Sequence, residues 1–166
     1  MMRRVTFPHQ LLPPRRLPAL LPLALALAAL APGIAAGEAP VSREQAMLIA
    51  LDIISPATLD HNVTAFLTAA PLPAGSAIWP FDHEEHQRTI TSPTWFCWIN
   101  DDSQAFFTHP TRFVFIDQMT GLADVRVEGW WPMLNGQELF MSDEEMTDFN
   151  LIVYSCIHKE SIGGAP

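Results

Sequence analysis

Positive charge is scarce in this chain beyond its first 37 residues. All 18 acidic residues lie after Gly37, against five basic ones, Arg43, Arg88, Arg112, Arg126 and Lys159, so residues 38–166 carry a net charge near −13 with histidines neutral. A surface that acidic repels phosphate backbones and anionic headgroups, which argues against a nucleic-acid partner. A Gly-rich phosphate loop, a G-x-S-x-G elbow and a C-x-x-C pair are all missing, which removes the simplest routes to nucleotide, hydrolase and thioredoxin-like chemistry. The run Asp82-His83-Glu84-Glu85-His86 lacks the H-E-x-x-H spacing of a zinc protease, because its second histidine falls at i+3 where i+4 is required. His83 and His86 remain candidate ligands for a surface metal, against a solvated loop as the plainer reading. Asn100-Asp101-Asp102-Ser103 lacks the glycine and the distal glutamate of a calcium loop and reads as an Asx-initiated turn. No cofactor is expected.

What is present begins with a leader. Arg3, Arg4, Arg15 and Arg16, the Ala/Leu run from Leu17 to Leu30 and the small residues Ala35-Ala36-Gly37 read as a secretory signal peptide over residues 1–37. An uncleaved anchor is the alternative, which Pro18, Pro22 and Pro32 weaken by breaking the helix. The expectation is an exported protein, periplasmic or extracellular, off the membrane once the leader is removed. Residues 38–166 suffice for one core and form a single α+β domain ending in a loose tail.

Within that domain Ser42 and Gln45 make a capping box ahead of an amphipathic helix with Ala46, Ile49, Ala50 and Ile53 on one stripe. Val63, Ala65 and Leu67 suggest a short strand. Pro71 to Pro80, with three prolines and a glycine, reads as a loop. Thr94 to Asn100 (TWFCWIN) is apolar on both faces, the pattern of a central strand with helix on one side and loops on the other. Arg112 to Asp117 and Leu122 to Glu128 form a hairpin, the second strand alternating Ala123, Val125 and Val127 with Asp124, Arg126 and Glu128. Asn135-Gly136 is a turn, Ser142 to Glu145 caps a short helix, and Asn150 to Ile157 has the β-branched content of a buried strand. The architecture expected is a small antiparallel sheet braced by an N-terminal helix.

Two sets of side chains carry the candidate chemistry. Cys97 and Cys156 are the only cysteines, and an even number in an oxidising compartment predicts a disulfide closing a loop of about 60 residues, a contribution on the order of 4 kcal/mol. Two free thiols, a metal site, or a cysteine nucleophile served by His109 or His158 are the other readings. Trp95, Trp98, Trp130 and Trp131 supply either core or an aromatic platform for a ligand. On a strand the neighbours Trp130 and Trp131 face opposite ways, so one of them is expected at the surface or beneath the C-terminal part of the chain. Trp98, Trp130, Trp131 and His109 are the binding candidates.

The capped helix Ser42 to Ile54 and the hairpin FVFIDQMTGLADVRV, with its D-x-x-T-G turn, resemble PepSY-type domains, which belong with cystatin-like α+β architectures. The tryptophan-rich strand, His109-Pro110 and the acidic C-terminal part depart from that pattern. The resemblance implies a non-enzymatic module that binds or restrains a partner protein or peptide, pro-region-like or inhibitory. The alternative is a small exported metalloprotein or thiol enzyme using Cys97, Cys156 and nearby histidines.

Overall fold

The computed structural model describes residues 39–54, 62–105 and 107–157; the expected leader, His158 and the tail lie outside them. In chain order the elements are α1 (Arg43–Ile54), β1 (Val63–Leu67), β2 (Ala77–Pro80), a 3-10 turn (Glu84–His86), β3 (Arg88–Thr89), β4 (Thr94–Asn100), β5 (Thr111–Asp117), β6 (Ala123–Glu128), β7 (Pro132–Leu134), β8 (Gln137–Glu138), α2 (Asp143–Thr147) and β9 (Ile152–Cys156). They make an α+β fold with two antiparallel sheets, one ordered β6-β5-β4-β1-β9 and the other β3-β2-β7-β8.

The composition of β4 dictates the layering. Every residue from Thr94 to Ile99 is buried, so each face of the strand needs a cover. On one face Trp95, Cys97 and Ile99 join Val114, Ile116, Val63, Ala65 and Leu67 beneath Ala46, Ala50 and Ile54 of α1. The small Ala46 and Ala50, one helical turn apart, let the helix backbone approach closely. Its ends are tied down by arginines: Arg43 donates to the carbonyls of Leu67, Thr68 and Asn150, and Arg112 donates to Ile53 O at 2.9 Å while clasping Asp101 through two nitrogens. On the other face Phe96, Trp98, Phe113, Phe115 and Phe66 pack with Ile78, Ile90 and Phe140. That cover is the second sheet, where loops were expected.

Two further expectations are corrected. Residues 77–80, at the end of the proline-rich stretch, form β2 and pair with β7, with Pro80 opposite Pro132 where neither can donate. The C-terminal strand, β9, is half-buried at an edge, because only β1 flanks it. Among the described residues no helix is long and apolar enough to cross a membrane.

The hairpin β5–β6 runs without a bulge, Thr111 to Ile116 against Glu128 to Ala123. Asp117 organises its turn. One carboxylate oxygen accepts from Met119 N (2.9 Å), Thr120 N (2.8 Å) and Thr120 Oγ1 (3.0 Å), and the other accepts from Ser92 Oγ at 2.7 Å. Gly121, at φ 69°, closes the turn in the left-handed region that glycine occupies without strain. These bonds, led by that from Ser92, hold the Asp117 carboxyl below its ordinary value of 3.8. A depressed folded pKa stabilises the protein above the ordinary value and ceases to do so as acid protonates the folded form. Asp117→Ala is therefore expected to lower the urea midpoint by the equivalent of about 1–3 kcal/mol at pH 7, the difference from wild type shrinking below about pH 4. An undiminished difference at pH 2.5 would refute the carboxylate's role.

Candidate functional site

Three turns converge at the end of the two-sheet sandwich where β4 ends and β5 begins. After Asn100 the chain reverses, with Asp102 N donating to Asn100 Oδ1 at 3.2 Å. His109 returns to the same point: Nε2 lies 2.7 Å from Asn100 Oδ1 and Nδ1 lies 2.8 Å from Phe107 O. Both ring nitrogens thus lie within hydrogen-bond distance of an oxygen of the protein, which fixes the ring between the two turns. Beyond β6, Gly129 breaks the strand before the tryptophan pair, and a Cβ there would meet Thr108 Cγ2 at 3.3 Å. Thr111 Oγ1 donates to Trp130 O at 3.1 Å, and Phe81 N donates to Trp131 O at 2.9 Å with the two rings stacked 4.6 Å apart.

These turns enclose a cavity of about 230 Å³. Trp98, 3 % exposed, stacks on Phe66 at 5.6 Å and lies at its base, and Phe107 (72 %) and Met146 (47 %) stand at its rim. Trp130 and Trp131 meet edge to face at 5.1 Å and line it together. The expectation that these neighbours face apart is corrected: it assumed a strand, and the chain at 129–131 is a bend. Trp95 does not belong with the others. Three residues from Trp98 on β4, it points to the opposite face, under α1, where its Nε1 donates to Val41 O at 2.9 Å.

The cavity's polar groups set it apart. Among the described residues, three buried side-chain nitrogens or oxygens have no hydrogen-bond partner: Trp98 Nε1, Trp131 Nε1 and Ser103 Oγ. All three residues line this cavity. An indole N–H only donates, and leaving such a donor unpaired and buried costs about 1–3 kcal/mol. Among the described residues, no Asp, Glu, Lys or Arg is in the lining. Trp98, Trp130, Trp131 and His109, read from the sequence as binding candidates, are thus brought together; Ser103, Phe107, Met141 and Met146 were missed. Their only sequence signal was proximity to turns, which does not say what those turns face.

The remaining candidates stand apart from this cavity. No disulfide joins Cys97 to Cys156. Cys97 on β4 pairs with Leu67 and Cys156 on β9 with Val63, on opposite sides of β1. That separates them by two strand spacings, about 10 Å, and by four residues along the strand, about 13 Å. A bridge needs Cα atoms within about 7 Å. Cys97 is fully buried beneath α1, and burial pushes its thiol up to about 12, which deprives it of the thiolate a nucleophile needs. His83 and His86 stack on each other at 5.5 Å, and each bonds a carboxylate, Glu85 and Glu128 respectively, at 2.9 Å. Among the described residues no three His, Cys, Asp or Glu side chains are grouped to hold a metal.

Comparison of the chain with protein-family models, curated proteins and solved structures found no match.

Iodoacetamide is expected to leave Cys97 unmodified in the native protein and to alkylate it in denaturant, and the mass under non-reducing conditions should lack the two-dalton loss of an internal bridge. Native alkylation of Cys97 would show that β4 is not closed beneath α1.

Proposed function

We propose that the protein is an exported, non-enzymatic binding module of PepSY or cystatin-like build. It recognises a partner protein or peptide by receiving one uncharged, apolar group in the tryptophan-lined cavity. The observation that carries this reading is the coincidence of three unpartnered polar groups with a single aromatic recess. Rings and thioethers from Trp98, Trp130, Trp131, Phe107, Met141 and Met146 supply dispersion and desolvation, as at the centres of binding surfaces. The two indole N–H groups and the Ser103 hydroxyl, buried in the wall without partners, favour acceptor oxygens on a guest that reaches them. A carboxylate guest would lack a countercharge in the lining, and a cation would meet donors, so a neutral amide or carbonyl beside an apolar side chain is the matching chemistry.

A cavity of about 150 Å³ holds benzene, so about 230 Å³ admits a phenylalanine or leucine side chain with part of its backbone amide. Export, the PepSY-like build and the restraint of a partner rest on the sequence features given above. Catalysis finds no support in the cavity: among the described residues His109 is the one lining side chain of the common general bases, and both its nitrogens are engaged within the protein.

Titration with N-acetylphenylalaninamide is expected to shift the protein's tryptophan emission saturably, while N-acetylglutamate gives no saturable change. Trp98→Phe and Trp131→Phe keep an aromatic wall and delete one donor each, and each should weaken binding roughly fivefold, the equivalent of a hydrogen bond worth about 1 kcal/mol. Deleting an unpaired donor should also leave thermal stability unchanged or raised. Loss of stability without loss of affinity would make both tryptophans packing residues only.

A further inference from the structure

β6 forms one edge of the five-stranded sheet, and every residue from Ala123 to Val127 is exposed. Its charged face meets the rest of the fold through ion pairs and ring contacts: Asp124 pairs with Arg88, Glu128 with His86 at 2.9 Å, and Arg88 and Arg126 lie over the Phe115 ring at 4.1 and 5.9 Å. On the other face, beside α1, Val125 and Val127 are 42 % and 70 % exposed. The outer backbone is unpaired as well. Asp117 N donates to Leu122 O at 2.9 Å, which makes that pair hydrogen-bonded; alternation along the ladder then turns the backbone groups of Asp124, Arg126 and Glu128 toward β5 and those of Ala123, Val125 and Val127 away from the sheet. Among the described residues no strand meets them. The edge carries no proline, bulge or lysine, and its charges, Asp124, Arg126 and Glu128, alternate in sign.

We infer that the partner of this edge is a second copy of the same chain, paired antiparallel through β6 about a two-fold axis at Val125. The charges choose the register. Centred on Val125, Asp124 of each copy faces Arg126 of the other in the closely spaced non-hydrogen-bonded positions. Val125 meets Val125, Ala123 meets Val127, and the outward backbone groups of these three residues pair. Centring on Asp124 or Arg126 would set like charges directly opposite. Centring on Val127 would run past the strand end and set Glu128, its side chain only 9 % exposed, opposite Arg126, whereas Asp124, 53 % exposed, can share its carboxylate between Arg88 and a facing arginine. The product is a continuous ten-stranded sheet in which the valines of the two copies cover one another, an isologous contact of the commonest kind.

Sedimentation of the purified protein from about 1 to 200 μM, the range in which a contact below standard size dissociates, is expected to show a concentration-dependent doubling of mass. Amide exchange at Ala123, Val125 and Val127 should slow with concentration, while Asp124 and Arg126 stay protected throughout. Asp124→Arg and Arg126→Asp should each abolish the dimer, an equimolar mixture of the two variants should restore it as a heterodimer, and the double swap should dimerise alone. A monomeric wild type, single reversals that still dimerise, or a mixture that stays monomeric while both variants remain folded by circular dichroism would overturn the inference; so would concentration-independent exchange at the three outward amides.

Discussion

The constraint on which the fold depends is the burial of both faces of β4. A strand whose six consecutive side chains are all withdrawn from water cannot sit in a one-sided sheet, and it cannot sit at an edge. It takes β5 and β1 as neighbours, α1 above and the second sheet below. The two covers differ in kind. Beneath α1 the side chains are mostly small and aliphatic, with Trp95 the buried ring of that layer and Tyr154 packed against its margin. Between the sheets the filling is almost wholly aromatic, with Phe96 edge to face with Phe113 at 5.4 Å and Phe66 stacked between Trp98 and Phe140. Large rigid rings leave gaps where the sheets diverge, and the cavity lies at such an end.

Much of this was legible locally. The alternation of Ala123 to Glu128, the glycine at 121 and the Asn135-Gly136 turn, with φ 50° and 86°, are consequences of neighbouring residues and can be read without tertiary knowledge. The apolar run of β4 likewise announced a strand covered on both sides. The identity of the cover was not legible: β2, β3, β7 and β8 are two to four residues long, and strands so short carry too few alternations to separate from turn-forming sequence. The cysteines illustrate the same limit. That both would lie in one sheet followed from their strand-like surroundings, but strand order is a long-range property, and β1 came between them. Cavity residues such as Ser103 and Met146 are united only by the meeting of three turns.

Period-two alternation also misled about β6, where every residue from Ala123 to Val127 is exposed and only Glu128 is half-buried. Pattern alone assigns the valines to the core and the charges to water. Here the second sheet reaches β6 through β3 and the 3-10 turn, and what it brings is Arg88 and His86, matched to Asp124 and Glu128. Half-exposed ion pairs are worth little individually, about 0–1 kcal/mol. Arg88 adds a guanidinium lying on the Phe115 ring, a contact of similar modest size. The valines are then stranded at the surface beyond the reach of α1, which packs over β4 and β9.

The same strand supplies its own comparison for the cavity. Trp95 and Trp98 both lie on β4, at 5 % and 3 % exposure. The first gives its indole proton to Val41 O at 2.9 Å, as a buried indole ordinarily does, and the second gives it to no protein atom. Full burial of a large apolar side chain is worth about 1.5–3 kcal/mol, and an unpaired buried donor costs about 1–3 kcal/mol, so at position 98 the penalty cancels most of the gain. Phenylalanine, which already fills Phe66, Phe96 and Phe113 around it, would pack there without the penalty. A residue chosen for stability alone would not carry that proton, and a second indole and a hydroxyl stand in the same condition around the same cavity.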